Sequence, residues 1–322
     1  MLSRVAEACY WVGRYVERAE NVARILDVNY HGVMENSAAE SQPAWWSVVA
    51  TTGDEEAFLA RYPDPTEFNV ADFLLLDREN HNSVFSCLTA ARESARRIRD
   101  RISSETWEEL NRFYHVVSRQ NIKVVMMDGP YAFCRTVKNA AHLLAGVIDN
   151  TMPHDEGWLF LRAGRYLERA GMTARILDSQ AALLRRPESG PVYAATHRWI
   201  AVLKSASAYE AQRKLSHGEI SPEAVVRFLL TREEFPRSCL FSVAEVEGAL
   251  HAIRATLGLQ GPGRALREAG ELTARLRYTD FDGTFMHELH EYLDELEAAC
   301  NRIGDAITAE FFWGRMPLRR GA

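Results

Sequence analysis

The residues of this chain best suited to chemistry are glutamates and arginines spaced about one helical turn apart. Arg14, Glu17, Arg18, Asn21 and Arg24 lie in one string, and Arg165, Glu168 and Arg169 lie in a second. Residues 13–27 and 164–178 share the pattern G-R-Y-x-E-R-A-x-x-x-A-R-I-L-D, too long a match for chance. A guanidinium is a planar fork that takes carboxylate or phosphate oxygens. A carboxylate beside it becomes a general base if desolvation raises its pKa, which makes Glu17 and Glu168 the candidate catalytic groups. The plainer reading, and the favoured one, is a buried ionic clamp between helices. Two oppositely charged copies of one motif satisfy each other, with Glu17 meeting Arg169 and Glu168 meeting Arg18.

Arg92, Arg96 and Arg99 form a second candidate set, because spacings of four and three place them on one face of a helix. They would make an anion-binding groove, bordered by Trp107 and Asn111; the alternative is a solvated helix face. The stretch that answers them in the second half, residues 243–253, lacks the arginines, so this set implies an asymmetric role.

Metal and cofactor chemistry find little support. None of the histidines has a glutamate three positions before it, as a di-iron bundle needs. His287 and His290 are one residue short of the zinc-protease spacing. The glycine-rich residues 258–263 follow a helix and lack a phosphate-loop lysine, so they read as a plain loop. No cofactor and no metal is expected.

These side chains must be carried on helices. Over residues 5–26 the apolar positions fall on one arc at about 100° per residue. Ser3 is a candidate cap. Tyr10, Trp11 and Ile25 share the opposite, charged arc, so this helix is expected to be sandwiched. Further along, residues 35–43 read as a loop and residues 44–60 as a helix with Trp45 and Trp46. A third helix begins over residues 70–76. A long helix spans 83–102, Ser103 or Ser104 caps the next, and another covers 131–148. Trp199, the run Phe228-Leu229-Leu230 and Ser238 answer Trp45 or Trp46, Phe73-Leu74-Leu75 and Ser83 in the same order. A nearly constant offset separates the matched blocks, the mark of a duplication. Residues 187–191 read as a loop within the second half. The expected fold is all-α, a helical bundle built by internal duplication. Its halves, residues 1–150 and 151–322, are related by a pseudo-two-fold axis and packed as one body.

Composition bounds the rest. The 322 residues are 47 % hydrophobic and 25 % charged, ordinary for a soluble chain. A net charge of −6 disfavours nucleic acid as a partner. Five cysteines stand singly, without a paired framework, and read as buried thiols in a reducing compartment. The charged first residues leave no room for a signal peptide, and no apolar run approaches the roughly 20 residues of a membrane span. A cytoplasmic protein is expected.

The opening Met1-Leu2-Ser3-Arg4-Val5-Ala6-Glu7, with Tyr10-Trp11 and residues 13–21, resembles the bacterial alpha-E family of helical domains with a Glu-Arg motif. The likeness continues through Arg92-Glu93-Ser94-Ala95-Arg96, Arg99-Asp100, Trp107 and Asn111. It resumes at Thr151-Met152, residues 155–158 and 164–170, and Pro236-Arg237-Ser238, so that it covers nearly the whole chain as one alpha-E domain. Ser94 departs from an expected asparagine, and Asn82-Ser83 lacks a preceding proline. The resemblance implies a partner of a circularly permuted ATP-grasp protein, alongside a transglutaminase-like protein, in systems that form amide bonds and process peptides. The alternative is an enzyme of the same pathway, using Glu17 or Glu168 as acid or base beside an arginine-lined anion site.

Overall fold

The computed structural model describes residues 3–34, 38–127, 129–184, 192–216 and 220–313. Among them are fifteen α-helices and no strand. The first half contains α1 (Ser3–Met34), α2 (Ala38–Thr52), α3 (Glu55–Leu59), α4 (Glu67–Leu75), α5 (Val84–Arg97), α6 (Ser104–Ser118), α7 (Ile122–Met127) and α8 (Tyr131–Thr151). The second contains α9 (Glu156–Leu184), α10 (Val192–Ser205), α11 (Tyr209–Ser216), α12 (Pro222–Thr231), α13 (Cys239–Thr256), α14 (Arg264–Arg277) and α15 (Leu289–Ile307). A π-helical turn, Thr308–Trp313, follows.

The two helices that carry the repeated string, α1 and α9, make the largest contact in the molecule. Each is the inner member of a group of four: α1 with α5, α6 and α8, and α9 with α13, α14 and α15. One continuous apolar core runs through both groups. Helix α1 is enclosed on both arcs, as the aromatic residues on its charged side demand: Tyr10 and Ile25 are fully buried. Tyr10 packs on Phe312 of the π-helical turn, and Phe311 of that turn meets Phe160 of α9.

Why α1 and α9 come so close is written in two glycines. A Cβ at Gly13 would fall on the carbonyl oxygen of Leu161, and a Cβ at Gly164 on that of Tyr10. Only glycine permits backbone to touch backbone there. The helices run side by side in the same direction, since Ile25 and Ile176 border one crevice further along. Residue 13 therefore stands level with 164, and the charged positions one turn on face each other across the seam.

Of the two serines expected to cap α6, Ser103 does so. Ser83, Ser103 and Ser238 each accept a hydrogen bond from the backbone N–H three residues on, starting α5, α6 and α13, the usual use of an N-cap serine. Ser83 also donates to the carbonyl of Asp77, and Ser238 to that of Arg232, each at 2.6 Å. The runs Phe73-Leu74-Leu75 and Phe228-Leu229-Leu230 are buried, as are Trp45 and Trp199.

Several element boundaries differ from expectation, and three of them have a plain local cause. Helix α2 begins at Ala38, inside the expected loop, and holds Pro43 in its interior. At the sixth helical position a proline removes one backbone hydrogen bond and crowds the carbonyl four residues before it, a local cost that the rest of α2 carries. Instead of running to Ala60, α2 stops at Thr52. Gly53 turns the chain there with a φ of 74°, a left-handed conformation that glycine adopts freely. Helix α5 ends at Arg97, short of Ile102. The Ile98 N–H bonds back only three residues, to Ala95, and so leaves the α-helical ladder. The loop expected over 187–191 lies outside the described residues. No helix among the described residues is long and apolar enough to cross a membrane.

Candidate functional site

The charged residues of the repeat meet across the α1–α9 seam in two clusters. In the first, Glu168 accepts hydrogen bonds from Arg14 Nε at 2.5 Å and from Arg18 Nε and Nη2 at 2.6 and 3.0 Å. Both arginines have further partners. Arg14 donates to the Tyr10 hydroxyl at 2.8 Å, and Arg18 to Asn82 Oδ1 at 2.5 Å. Asn82 in turn donates to Asp54 at 2.7 Å. Burial pushes the Glu168 carboxyl up, but the Arg14 and Arg18 guanidiniums outweigh it and hold the group well below the usual carboxylate range, as adjacent cations do.

The second cluster is larger. Glu17 accepts both teeth of the Arg169 fork, at 2.7 and 2.8 Å. Arg237, from the turn before α13, reaches Glu17 at 3.5 Å and Glu20 at 2.7 Å, and donates to Asn21 Oδ1 at 2.8 Å. Arg24 also donates to Glu20, and His142 of α8 lies 3.6 Å from it. Beyond them Lys138 bonds Asp27 at 2.5 Å. Glu17 and Glu20 are buried, which by itself raises a carboxyl pKa. Arg169 and Arg237 for Glu17, and chiefly Arg237 for Glu20, reverse that and leave both lowered. Asn21 Nδ2 and Arg24 Nε are buried without a hydrogen-bond partner among the described residues.

The pairing expected from the sequence, Glu17 with Arg169 and Glu168 with Arg18, is therefore present. Arg165 is the exception within the repeat. It lies 3.9 Å from Glu17 and 3.9 Å from Asp149, beyond hydrogen-bond length in both directions.

The second arginine set is divided. Arg92 is half-buried, donates to Asn111 at 2.7 Å and lies over the rings of Trp107 and Tyr114. Arg99 lies beyond the end of α5, with its guanidinium 5.5 Å from the Trp107 ring centre. Arg96 is exposed and paired with Glu93. The expected shared face is thus broken where the helix ends, and two of the three side chains gather around Trp107.

Sequence reasoning missed Glu20, Arg237 and His142. Glu20 stood in plain view three residues after Glu17. Arg237 had one signal, its position directly before the capping Ser238, where the chain turns back toward α1. His290 is closer to other ligand-type groups than its sequence spacing implied. Its two ring nitrogens lie 2.6 Å from Asp178 and 3.5 Å from Asp294, so the imidazole bridges two carboxylates at a partly exposed surface. The glycine-rich loop is pinned by Arg254, which donates to the Gly261 carbonyl at 2.7 Å and pairs with Glu310.

Residues 1–312 match a family described as a predicted alpha-helical domain with a conserved ER motif. The chain belongs to the Alpha-E family. Its Glu17-Arg18 and Glu168-Arg169 pairs fit that description and form the charged seam of the Alpha-E fold described above. Uncharacterized proteins of Mycobacterium bovis and Mycobacterium tuberculosis are similar, at 25% identity over 95% of this chain and 36% of their own length. A second Mycobacterium tuberculosis strain carries a similar uncharacterized protein at 24% identity. The chain thus spans little more than a third of the length of the curated relatives it matches. No solved structure matches this Alpha-E chain.

Proposed function

We propose that this Alpha-E chain is a helical partner subunit of a bacterial ATP-grasp-linked system that forms amide or peptide bonds or modifies a peptide, and that it binds the ATP-grasp enzyme or its peptide. The observation that carries this reading is that the motif carboxylates are saturated by the motif arginines. Glu168 answers two guanidiniums, and Glu17 accepts a full fork from Arg169. A carboxylate held ionised so firmly is a weak base, which counts against Glu17 or Glu168 as the acid or base of an enzyme. What the seam provides is a rigid body for docking. The relatives support this indirectly: their longer chains hold a region similar to this one beside further polypeptide.

The reading extends to the architecture. Residues 1–150 and 151–322 are read as copies of one ancestral unit related by a pseudo-two-fold axis between α1 and α9. Reciprocity supports it: Gly13 against Leu161 and Gly164 against Tyr10, Arg18 to Glu168 and Arg169 to Glu17. The buried cysteines fit a reducing, cytoplasmic setting. A transglutaminase-like protein of the same system is proposed as a second partner.

Co-purification tests the proposal. The tagged chain should retain a circularly permuted ATP-grasp protein co-expressed with it and show no ATP-dependent or peptide-hydrolysing turnover alone. Turnover by the chain alone, lost in Glu17→Gln, would overturn it in favour of the enzyme.

A further inference from the structure

The geometry points to a carboxylate-binding site in the crevice between α1, α8 and α9, with Arg165 as the group that takes the carboxylate of a short aliphatic chain. This inference goes beyond the partner reading and does not depend on it.

The crevice has a volume of about 40 Å³. On the same measure one water needs roughly 10–15 Å³. The space is that of about three waters, enough for a carboxylate group and the first carbons of a short aliphatic chain. Its walls are apolar: Val12 and Val16 from α1, Ile148 from α8 and Leu161 from α9. At its charged end stand Glu17, Glu20, Arg165, Arg169 and Arg237, with the exposed His142 at the rim. With their immediate neighbours counted, four arginines (Arg24, Arg165, Arg169 and Arg237) face three carboxylates (Glu17, Glu20 and Asp149), leaving a cationic surplus of one.

The surplus can be assigned to one residue. Arg169 gives its fork to Glu17, and Arg237 directs its donors to Glu20 and Asn21. Arg165 stands 3.9 Å from either neighbouring carboxylate, with a side chain only 21% exposed. Its guanidinium also lies 5.6 Å from the Tyr166 ring centre, a contact that leaves the N–H donors open. The other copy of the motif shows what satisfies such an arginine. Arg14, the residue at the same motif position, bonds Glu168 and the hydroxyl of Tyr10, four residues before it. Four residues before Arg165 stands Leu161, which has no hydroxyl and instead forms a wall of the crevice. Lack of that hydroxyl both frees the guanidinium and leaves apolar space beside it.

A largely buried guanidinium with open donors next to an apolar slot suits a planar monoanion with a hydrocarbon tail. A phosphate dianion fits less well, because Glu17 and Glu20 lie at the same end and repel the second charge. The carboxylate has two sources: a free short-chain acid, or a peptide presenting its terminal or side-chain carboxylate.

Saturation-transfer NMR and thermal shift on the full chain test the site with butyrate, butyramide, inorganic phosphate, and a short peptide with a free or an amidated C-terminus. Butyrate, or the free-acid peptide, should bind saturably, while butyramide, phosphate and the amidated peptide should not. Tighter binding of the free-acid peptide than of butyrate identifies a peptide carboxylate; butyrate alone identifies a free acid. Arg165→Gln should weaken binding at least about tenfold, with little change in melting temperature because Arg165 has no hydrogen-bonded carboxylate to lose. Leu161→Tyr, which copies the Tyr10 arrangement, should block the crevice and have the same effect on binding. Absence of saturable binding by either carboxylate, equal competition by phosphate, or undiminished binding in both variants would overturn the proposal. Loss of co-purification with an ATP-grasp protein would leave this result untouched, so the two readings fail separately.

Discussion

Replacing Glu168 by glutamine should destabilise the protein more than almost any other single change of similar size. The variant keeps the shape of the side chain and removes its charge. Arg14 and Arg18 then share a buried site with no anion, where they now make contacts of 2.5, 2.6 and 3.0 Å with Glu168. Breaking one side of a buried ion pair costs about 3–5 kcal/mol. Unfolding entropy near 60 °C is about 2 cal/mol/K per residue, so for this length each kcal/mol lowers Tm by roughly 1.5 °C. The expected loss is therefore about 4–7 °C by calorimetry or circular dichroism near neutral pH. Acid supplies a second signature. The Glu168 carboxyl is held below its ordinary value of 4.5. Its contribution is therefore fully present above that value and is lost as pH falls below it toward the folded-state pKa. Wild type should lose Tm on acidification through this range, and Glu168→Gln should lose less, so the two curves converge. A Tm drop under about 1 °C near neutrality, or a gap that stays constant in acid, would refute the assignment of Glu168 as a buried, ionised clamp.

Other perturbations probe the same seam and its surroundings. Gly13→Ala and Gly164→Ala each place a methyl on a facing carbonyl and should cost at least about 1–3 kcal/mol, read by denaturant midpoint. Because the two sites share one contact, the double variant should cost less than their sum. Arg237→Gln removes the guanidinium that holds Glu20 at 2.7 Å and should lower Tm comparably to Glu168→Gln. Arg96→Gln, at an exposed pair with Glu93, should shift stability by less than about 0.5 kcal/mol. All five thiols are buried, and burial pushes Cys9, Cys87 and Cys300 up to about 12. A thiol-disulfide reagent should find them unreactive until denaturant is added.

The seam was legible in the sequence because a repeated string with alternating charge has a simple solution, its own copy. Once two helices carry Glu-Arg at the same register, crossing at the shared glycine places Glu17 by Arg169 and Glu168 by Arg18. The cap at Ser103 was legible for a similar reason: a side-chain oxygen three residues before an orphan N–H is a local rule. The rest depended on the tertiary fold. The arginines at 92, 96 and 99 have helical spacing, but nothing in that spacing says the helix stops at Arg97 or that Trp107 receives two of them. Arg237 lies more than two hundred residues from its partners Glu20 and Asn21, and no period links them. Pro43 and Gly53 misled in opposite ways, one a helix breaker held inside a helix and the other a lone glycine that ended one.

The two ends of the seam differ in how firmly the repeated motif is satisfied. At Glu168, each arginine has a second partner: a tyrosine hydroxyl for Arg14 and an asparagine for Arg18. At Glu17, Arg237 arrives from the turn before α13, where the corresponding turn before α5 supplies Asn82. That third guanidinium takes over Glu20 and part of Glu17, so Arg165 is no longer needed to neutralise the cluster. The asymmetry has a physical basis: Arg237 stands beside Glu17 and Glu20, and Leu161 offers no hydroxyl where Tyr10 does, so Arg165 keeps only long ion pairs of 3.9 Å to Glu17 and Asp149. If Arg165 were merely a weak member of the clamp, Arg165→Gln would lower Tm by several degrees like its neighbours. A Tm within about 1 °C of wild type, beside the large loss for Glu168→Gln, separates the two roles in one set of melts.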